Sequence, residues 1–288
     1  MTTLQDALHQ VAGGAFPINP PPINGATLVQ PSALSFIAQD VAAALASAKP
    51  VAAAPAPAGA RYPAIYAFGD SLTDTGNVSL ATLGTVPVSP PYADRSFTNG
   101  PVWVQDLAHN LGLPPLNPSL AGGTDFAYGG AETGQTPVHT LNPTDLMSQY
   151  TQFLTQAPTP QPGSLYAVWI GSNDVLDIAN NSTLTPPQQQ TAVADAVNNE
   201  VAVIGGLAAH GAQNLLVLNV PDLGKTPYEQ ARGASTAQTA TSLASLYNTE
   251  LAAALQPLEA SGALRIDLVN TLSVLDQAAA NPSAGSYP

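Results

Sequence analysis

The sequence has no cysteine. Disulfides, thiolate metal sites and a cysteine nucleophile are therefore excluded. Basic side chains are scarce as well: 6 Lys and Arg stand against 19 Asp and Glu, a formal charge of −13. A surface of that sign repels phosphate backbones and anionic headgroups. Neither nucleic-acid binding nor electrostatic docking on anionic lipid is expected. Charged residues of both signs make up only 9%, against roughly a quarter in ordinary soluble domains. Small and neutral polar side chains must then cover the surface. Long apolar runs are also missing. The Ala-rich stretch 41–54 is interrupted at Lys49-Pro50, and nothing approaches the ~18 apolar residues of a spanning helix. The start, Met1-Thr2-Thr3-Leu4-Gln5-Asp6, has no basic segment followed by an apolar run, so no signal peptide is expected in this chain.

What is present suffices for a core: 45% of the 288 residues are hydrophobic, enough for one large domain with an extension or two small domains. Residues 1–61 stand apart. Pro20-Pro21-Pro22 and the Ala/Pro run 52–60 read as extended linker, with one helix expected over 32–48 from the spacing of Leu34, Ile37, Val41 and Leu45. This region is expected to be a loosely attached extension outside the catalytic layer. From Tyr62 onward, strands and helices alternate. Apolar runs at 64–68, 165–170, 215–218 and 264–269 read as strands, and 102–111, 188–210 and 234–258 read as helices. Continuous apolar strands separated by helices argue for an α/β protein with a parallel sheet covered on both faces. In such sheets polar chemistry collects beyond the carboxyl ends of the strands. Asp70, Ser71, Asn173, Asp174, Pro221 and Asp222 fall there.

Three segments carry the chemistry. In Gly69-Asp70-Ser71-Leu72 a serine sits at a strand-to-helix turn, where its hydroxyl projects from the sheet edge and its N–H points at developing negative charge. The plain alternative is that Asp70 or Ser71 only caps a helix. In the stretch 122–131, paired glycines let backbone approach a ligand and present bare N–H groups, or they simply make a flexible turn. In Trp169-Ile170-Gly171-Ser172-Asn173-Asp174, Asn173 either aims its amide at an oxyanion or caps the next turn.

In this order the three segments resemble the GDSL, or SGNH, family of serine esterases and lipases. Phe97-Thr98-Asn99-Gly100-Pro101-Val102-Trp103, Val220-Pro221-Asp222-Leu223-Gly224 and Tyr247-Asn248-Thr249-Glu250-Leu251 match further blocks, and the resemblance runs from about Tyr62 to the end. It implies a three-layer α/β/α sandwich, flavodoxin-like, with a parallel sheet of about five strands. It implies an acyl-ester hydrolase in which Ser71 attacks the acyl carbon. The oxyanion would be held by the Ser71 N–H, a glycine N–H (Gly130 preferred, Gly129 possible) and the Asn173 side chain. Many relatives carry asparagine where Asp125 stands, a change expected to alter a turn hydrogen bond more than the chemistry. The expected partner is an acyl-ester small molecule or a lipid, and the resemblance suggests an exported protein.

The family's base is a histidine in a C-terminal D-x-x-H-P block, which this sequence lacks. A serine hydroxyl is a weak nucleophile until a base takes its proton. The expectation is therefore a C-terminally incomplete esterase with weak or no activity as it stands, and a non-catalytic ligand-binding module is the alternative. Four histidines are present. His109 reads as a surface helix residue, His139 as part of a Pro-flanked loop and His210 as a helix C-terminus. His9 has D-x-x-H spacing, which leaves open a permuted chain. No cofactor is expected. No histidine pair has zinc-ligand spacing, so no metal is expected either. Gly224-Lys225-Thr226 is not a P-loop, because Asn219 stands where the upstream glycine is required.

Overall fold

The computed structural model describes residues 59–273, apart from 94, 158, 261 and 263. The readings of the extension through residue 58, of His9 and of the last fifteen positions lie outside the described residues. Within them, four five-residue strands form one sheet: β1 (Ile65–Gly69), β2 (Leu165–Trp169), β3 (Asn214–Leu218) and β4 (Arg265–Val269). They lie side by side in chain order, and every pair is parallel. Gly69 pairs with Trp169, Trp169 with Leu218 and Leu218 with Val269. All four strands therefore end level, and the loops that follow leave from one straight carboxyl edge.

The sheet continues past β1. Ala67 donates its N–H to Thr124 O (3.0 Å), and its carbonyl accepts from Phe126 N–H (2.8 Å). Tyr128 N–H then reaches Gly69 O at 3.2 Å. The expected count of about five strands is met as four strands plus this bridged segment on the free edge of β1.

The helices are α1 (Asn77–Ala81), α2 (Trp103–Asn110), α3 (Leu146–Gln156), α4 (Ser172–Asn180), α5 (Pro186–Ala209), α6 (Pro227–Arg232) and α7 (Ala234–Ala260). The sequence fits these starts and stops. Thr185 and Gln188 form a reciprocal capping box before α5, with proline in its first turn. Gly211, in the left-handed region (φ 98°), follows its end.

Alternation along the strands separates two cores. Tyr66, Phe68, Tyr166, Val168, Leu215 and Val217 pack with α3, α4, α5 and α7. Ile65, Ala67, Leu165, Ala167, Trp169 and Leu218 pack with Trp103, Val104 and Ala108 of α2. The result is the expected three-layer sandwich. The hub of the first core is Phe153, fully buried, whose ring meets Tyr66, Phe68, Phe126 and Tyr166 edge-on at 5.5–6.0 Å. Burying a phenylalanine is worth about 1.5–3 kcal/mol, and such ring pairs add about 0.5–1.5 kcal/mol.

Candidate active site

β1 delivers Ser71 to the sheet edge through Gly69. A Cβ there would lie 2.3 Å from Trp169 O, so no side chain fits. Beyond it, the N–H groups of Thr73 and Asp74 both donate to Asp70 O at 3.0 Å, closing a single helical turn around Ser71. The sequence reading placed Ser71 at a helix N-terminus, but α1 begins only at Asn77. Asp74 explains the break. Its Oδ1 accepts from Gly76 and Asn77 N–H (2.8 and 2.6 Å) and its Oδ2 from Val78 N–H (3.2 Å), so it caps α1 and separates it from the turn. Asp70 is also no helix cap. Its Oδ1 accepts from Leu72 N–H at 2.9 Å, within the turn.

The glycine-rich second segment is pinned rather than flexible. Asp74 Oδ2 also accepts from Gly129 N–H at 2.9 Å. Asp125 Oδ2 accepts from the N–H and O–H of Thr75, both at 2.7 Å, and its Oδ1 from Ala127 N–H at 2.9 Å. Asn77 Nδ2 donates to the carbonyls of Asp125 and Ala127, both at 2.9 Å. Asp74, Asn77 and Asp125 are fully buried, so this polar knot fuses the first segment to the second. The Phe97 ring lies against Gly129, where a Cβ would come within 2.3 Å of it. Gly130 follows in the left-handed region, φ 81°.

The third segment joins this knot. Gly171 is left-handed (φ 99°), and a Cβ on it would strike the ring of Tyr247 at 2.5 Å. Asn173 lies in the first turn of α4 and donates from Nδ2 to Ala131 O at 2.7 Å. Asp174 accepts from the Thr133 N–H and, at 2.7 Å, from its O–H. Ser71, Gly130 and Asn173 are each partly exposed, whereas Asp70, Gly129, Ala131, Ser172 and Asp174 beside them are buried. Backbone and side-chain bonds thus link all three segments, with the three candidate residues on the open rim.

Other residues hold this edge in ways the sequence did not show, and Gln149 gave no signal at all. Gln149, fully buried, accepts from Gly69 N–H (2.9 Å) and donates to Gly69 O (2.7 Å). Asn248 treats Val220 after β3 alike, at 2.8 and 2.7 Å. His139 is no simple loop residue. Its Nδ1 lies 2.9 Å from Glu132 Oε1 and its Nε2 lies 2.8 Å from Asp145 Oδ2.

Buried carboxyls crowd beneath the rim. Burial raises Asp70 to about 7, helped by the charge of Asp174 and opposed by the Leu72 N–H. Burial raises Glu200 to about 8, opposed by the Tyr247 hydroxyl, which donates to it at 2.6 Å. Asp125 is pushed well above the carboxylate range by burial and by the charge of Asp74.

No described histidine is placed as a base for Ser71. His109 is exposed in the last turn of α2. His210 caps the end of α5, on the amino side of β3, against the Phe153 ring at 5.6 Å. His139 has both ring nitrogens engaged. Glu132, His139 and Asp177 bring potential ligand atoms within 4.8 Å of one another, and both imidazole nitrogens face carboxylate oxygens of Glu132 and Asp145. Gly224, in the segment set aside as a P-loop, packs tightly instead. A Cβ there would meet Ala237 O of α7 at 2.1 Å. A cavity of about 150 Å³ lined by Pro63, Ile65, Leu113, Leu116 and Thr124 opens at the start of β1, at the opposite end of the strand from Ser71.

A family model for GDSL-like lipases and acylhydrolases matches residues 65–286. The chain belongs to that family. A phosphatidylcholine-sterol acyltransferase from Aeromonas hydrophila is 32% identical over 203 residues, covering 70% of this chain and 57% of its own length. An acetylesterase from Thermothelomyces thermophilus is 28% identical over 241 residues, 78% of this chain and 76% of its own. An inactive GDSL esterase/lipase-like protein from Arabidopsis thaliana is 25% identical over 185 residues, 59% of this chain and 44% of its own. The chain thus spans about half the length of the first and third of these relatives and three quarters of the second. Among the described residues, no helix is long and apolar enough to cross a membrane.

Proposed function

We propose that the chain carries a carboxylic-ester hydrolase site with Ser71 as nucleophile. Ser71 Oγ adds to the acyl carbon and its proton passes to a base. The tetrahedral oxyanion then expels the alcohol, which takes up the proton, and water releases the acid from the acyl-enzyme by the same steps. The oxyanion donors are the N–H groups of Ser71 and Gly130 and the side-chain amide of Asn173. Gly130 is preferred over Gly129 because Asp74 already takes the Gly129 N–H. The observation that carries this reading is the Asn173–Ala131 hydrogen bond, which ties the side-chain amide of a partly exposed Asn173 to the residue after Gly130 with one of its two protons. The substrates are acyl esters, small-molecule or lipid, in keeping with relatives named an acetylesterase and a phosphatidylcholine-sterol acyltransferase.

A second reading is a ligand-binding module that keeps the acyl site without turnover. It is favoured by the described histidines: His139 is held between Glu132 and Asp145, and His109 and His210 sit at the C-terminal ends of α2 and α5. Hydrolysis of p-nitrophenyl butyrate separates the two. Turnover that disappears in Ser71→Ala and falls about 10²–10³-fold in Asn173→Ala supports the hydrolase. Binding of butyrate with no Ser71-dependent turnover supports the module.

A further inference from the structure

The strand of backbone between Gly130 and Thr133 is the shared support of two proposed oxyanion donors. Gly130 begins it, and Ala131 O takes the Asn173 amide. Its next residue, Glu132, is held by the backbone at both ends. Its N–H donates to Asp145 Oδ1 at 3.2 Å, and its carbonyl accepts from Leu146 N–H at 2.9 Å. Its side chain, 5% exposed, meets His139 through Oε1, and its Oε2 has no hydrogen-bond partner among the described residues. His139 bridges Glu132 to Asp145, the fully buried residue just before α3.

We propose that His139 is a positioning residue for this site: its imidazolium, clamped between Glu132 and Asp145, fixes the 130–133 backbone so that the Gly130 N–H and the Asn173 amide keep their aim at the oxyanion. The proposal rests on Ser71 being the nucleophile. His139 lies 2.9 Å from Glu132 and 2.8 Å from Asp145, and burial raises Glu132 to about 8, opposed by its hydrogen bond to His139; a buried group stripped of such a partner is strongly destabilising. Burial pulls His139 down, but its hydrogen bonds to Asp145 and Glu132 outweigh this and raise it to about 10, which favours the imidazolium between them. Without it, Glu132 keeps no side-chain partner and Asp145 Oδ2 keeps only the Asn142 N–H, at 2.7 Å. The loop 130–133 then shifts to reach water. Oxyanion donors act only within tenths of an ångström of their proper place, so the loss falls on tetrahedral species and spares trigonal ones.

Butylboronic acid tests this without needing turnover. Ser71 Oγ adds to boron, its proton leaves to solvent, and the tetrahedral boronate places an oxygen where the oxyanion forms. Affinities for butylboronic acid and for butyrate are measured on the full chain and on three variants. Ser71→Ala is expected to abolish boronate binding. His139→Gln and Glu132→Gln are each expected to weaken boronate by about 10-fold or more, below the 10²–10³ of losing a donor outright, with butyrate affinity kept within about twofold. Loss of boronate binding in Ser71→Ala, with none in either of the other variants, overturns the positioning role alone. Equal weakening of boronate and butyrate, or loss of folded melting in both variants, makes His139 purely structural and also overturns it. Wild-type chain that does not bind boronate, or Ser71→Ala that binds it as well as wild type, overturns the nucleophile reading instead.

Discussion

A methyl group on Gly69 would sit 2.3 Å from Trp169 O, and Gly69 itself has φ +154°. Neither backbone strand can yield without breaking the β1–β2 ladder. Gly69→Ala should therefore lower stability by on the order of 3 kcal/mol, read as a fall in thermal midpoint. At the same scale, Glu200 holds a proton in the folded state up to about pH 8, whereas an unfolded glutamate releases it near 4.3. The stabilisation is complete below that lower value and is lost as pH rises toward 8. Asp70 and Asp174, raised to about 7 and about 6, mainly by burial, act in the same direction. The thermal midpoint should be higher at pH 5 than at pH 8.5, and Glu200→Gln, whose amide oxygen still accepts from Tyr247, should flatten that slope. Single residues were legible where chemistry forces a rare local pattern. Ser71 and Asn173 stand out only through the ordered combination of their segments, because alone each could simply cap a turn, and Gly69 stands out as the glycine closing an apolar strand. Gln149 does not stand out, since its partner Gly69 is 80 positions away and a glutamine in a helix looks like surface.

Among the elements, the strands were readable because their burial is continuous: β1 and β2 are buried at every position and so appear as unbroken apolar runs. α5 and α7 were readable from length and capping. α3 was not. Its buried face is Leu146, Gln149, Gln152, Phe153 and Gln156, so three glutamines erase the apolar period that marks a core helix. Two of those amides brace the loops at the sheet edge. Gln149 clamps Gly69, and Gln152 binds Tyr128 and Ser119, both at 2.9 Å. Gln149→Leu preserves size but leaves the Gly69 N–H buried and unpaired. It should cost about 1–3 kcal/mol and slow any Ser71-dependent reaction more than Phe153→Ala does. Phe153→Ala should cost about 3–5 kcal/mol, while leaving the kinetics of the remaining folded protein close to wild type. Comparing midpoints with rates per folded molecule separates the two effects.

Across the whole molecule, the four strands end in register, and the loops after β1 and β2, together with the 124–131 segment, are stitched into one polar surface by buried Asp, Asn and Gln side chains. That architecture makes Ser71 the central claim, since the other two donors matter only in relation to it. The overall plan was legible in the alternation of apolar runs and helices, but the extra edge segment beside β1 was not. Its glycines and Asp125 interrupt any strand pattern in the sequence, and the polar knot holds it together with the buried Phe126, which stacks on Phe68 at 5.4 Å. The direct measurement is covalent capture by a p-nitrophenyl butylphosphonate ester. The chain is incubated with the reagent, digested and mapped by mass spectrometry, alongside Asn173→Ala. The account predicts one adduct, on Ser71, formed at least about 10-fold more slowly in the variant because an oxyanion donor is gone. An adduct on another residue, or labelling of Ser71 at the same rate without the Asn173 amide, would contradict it.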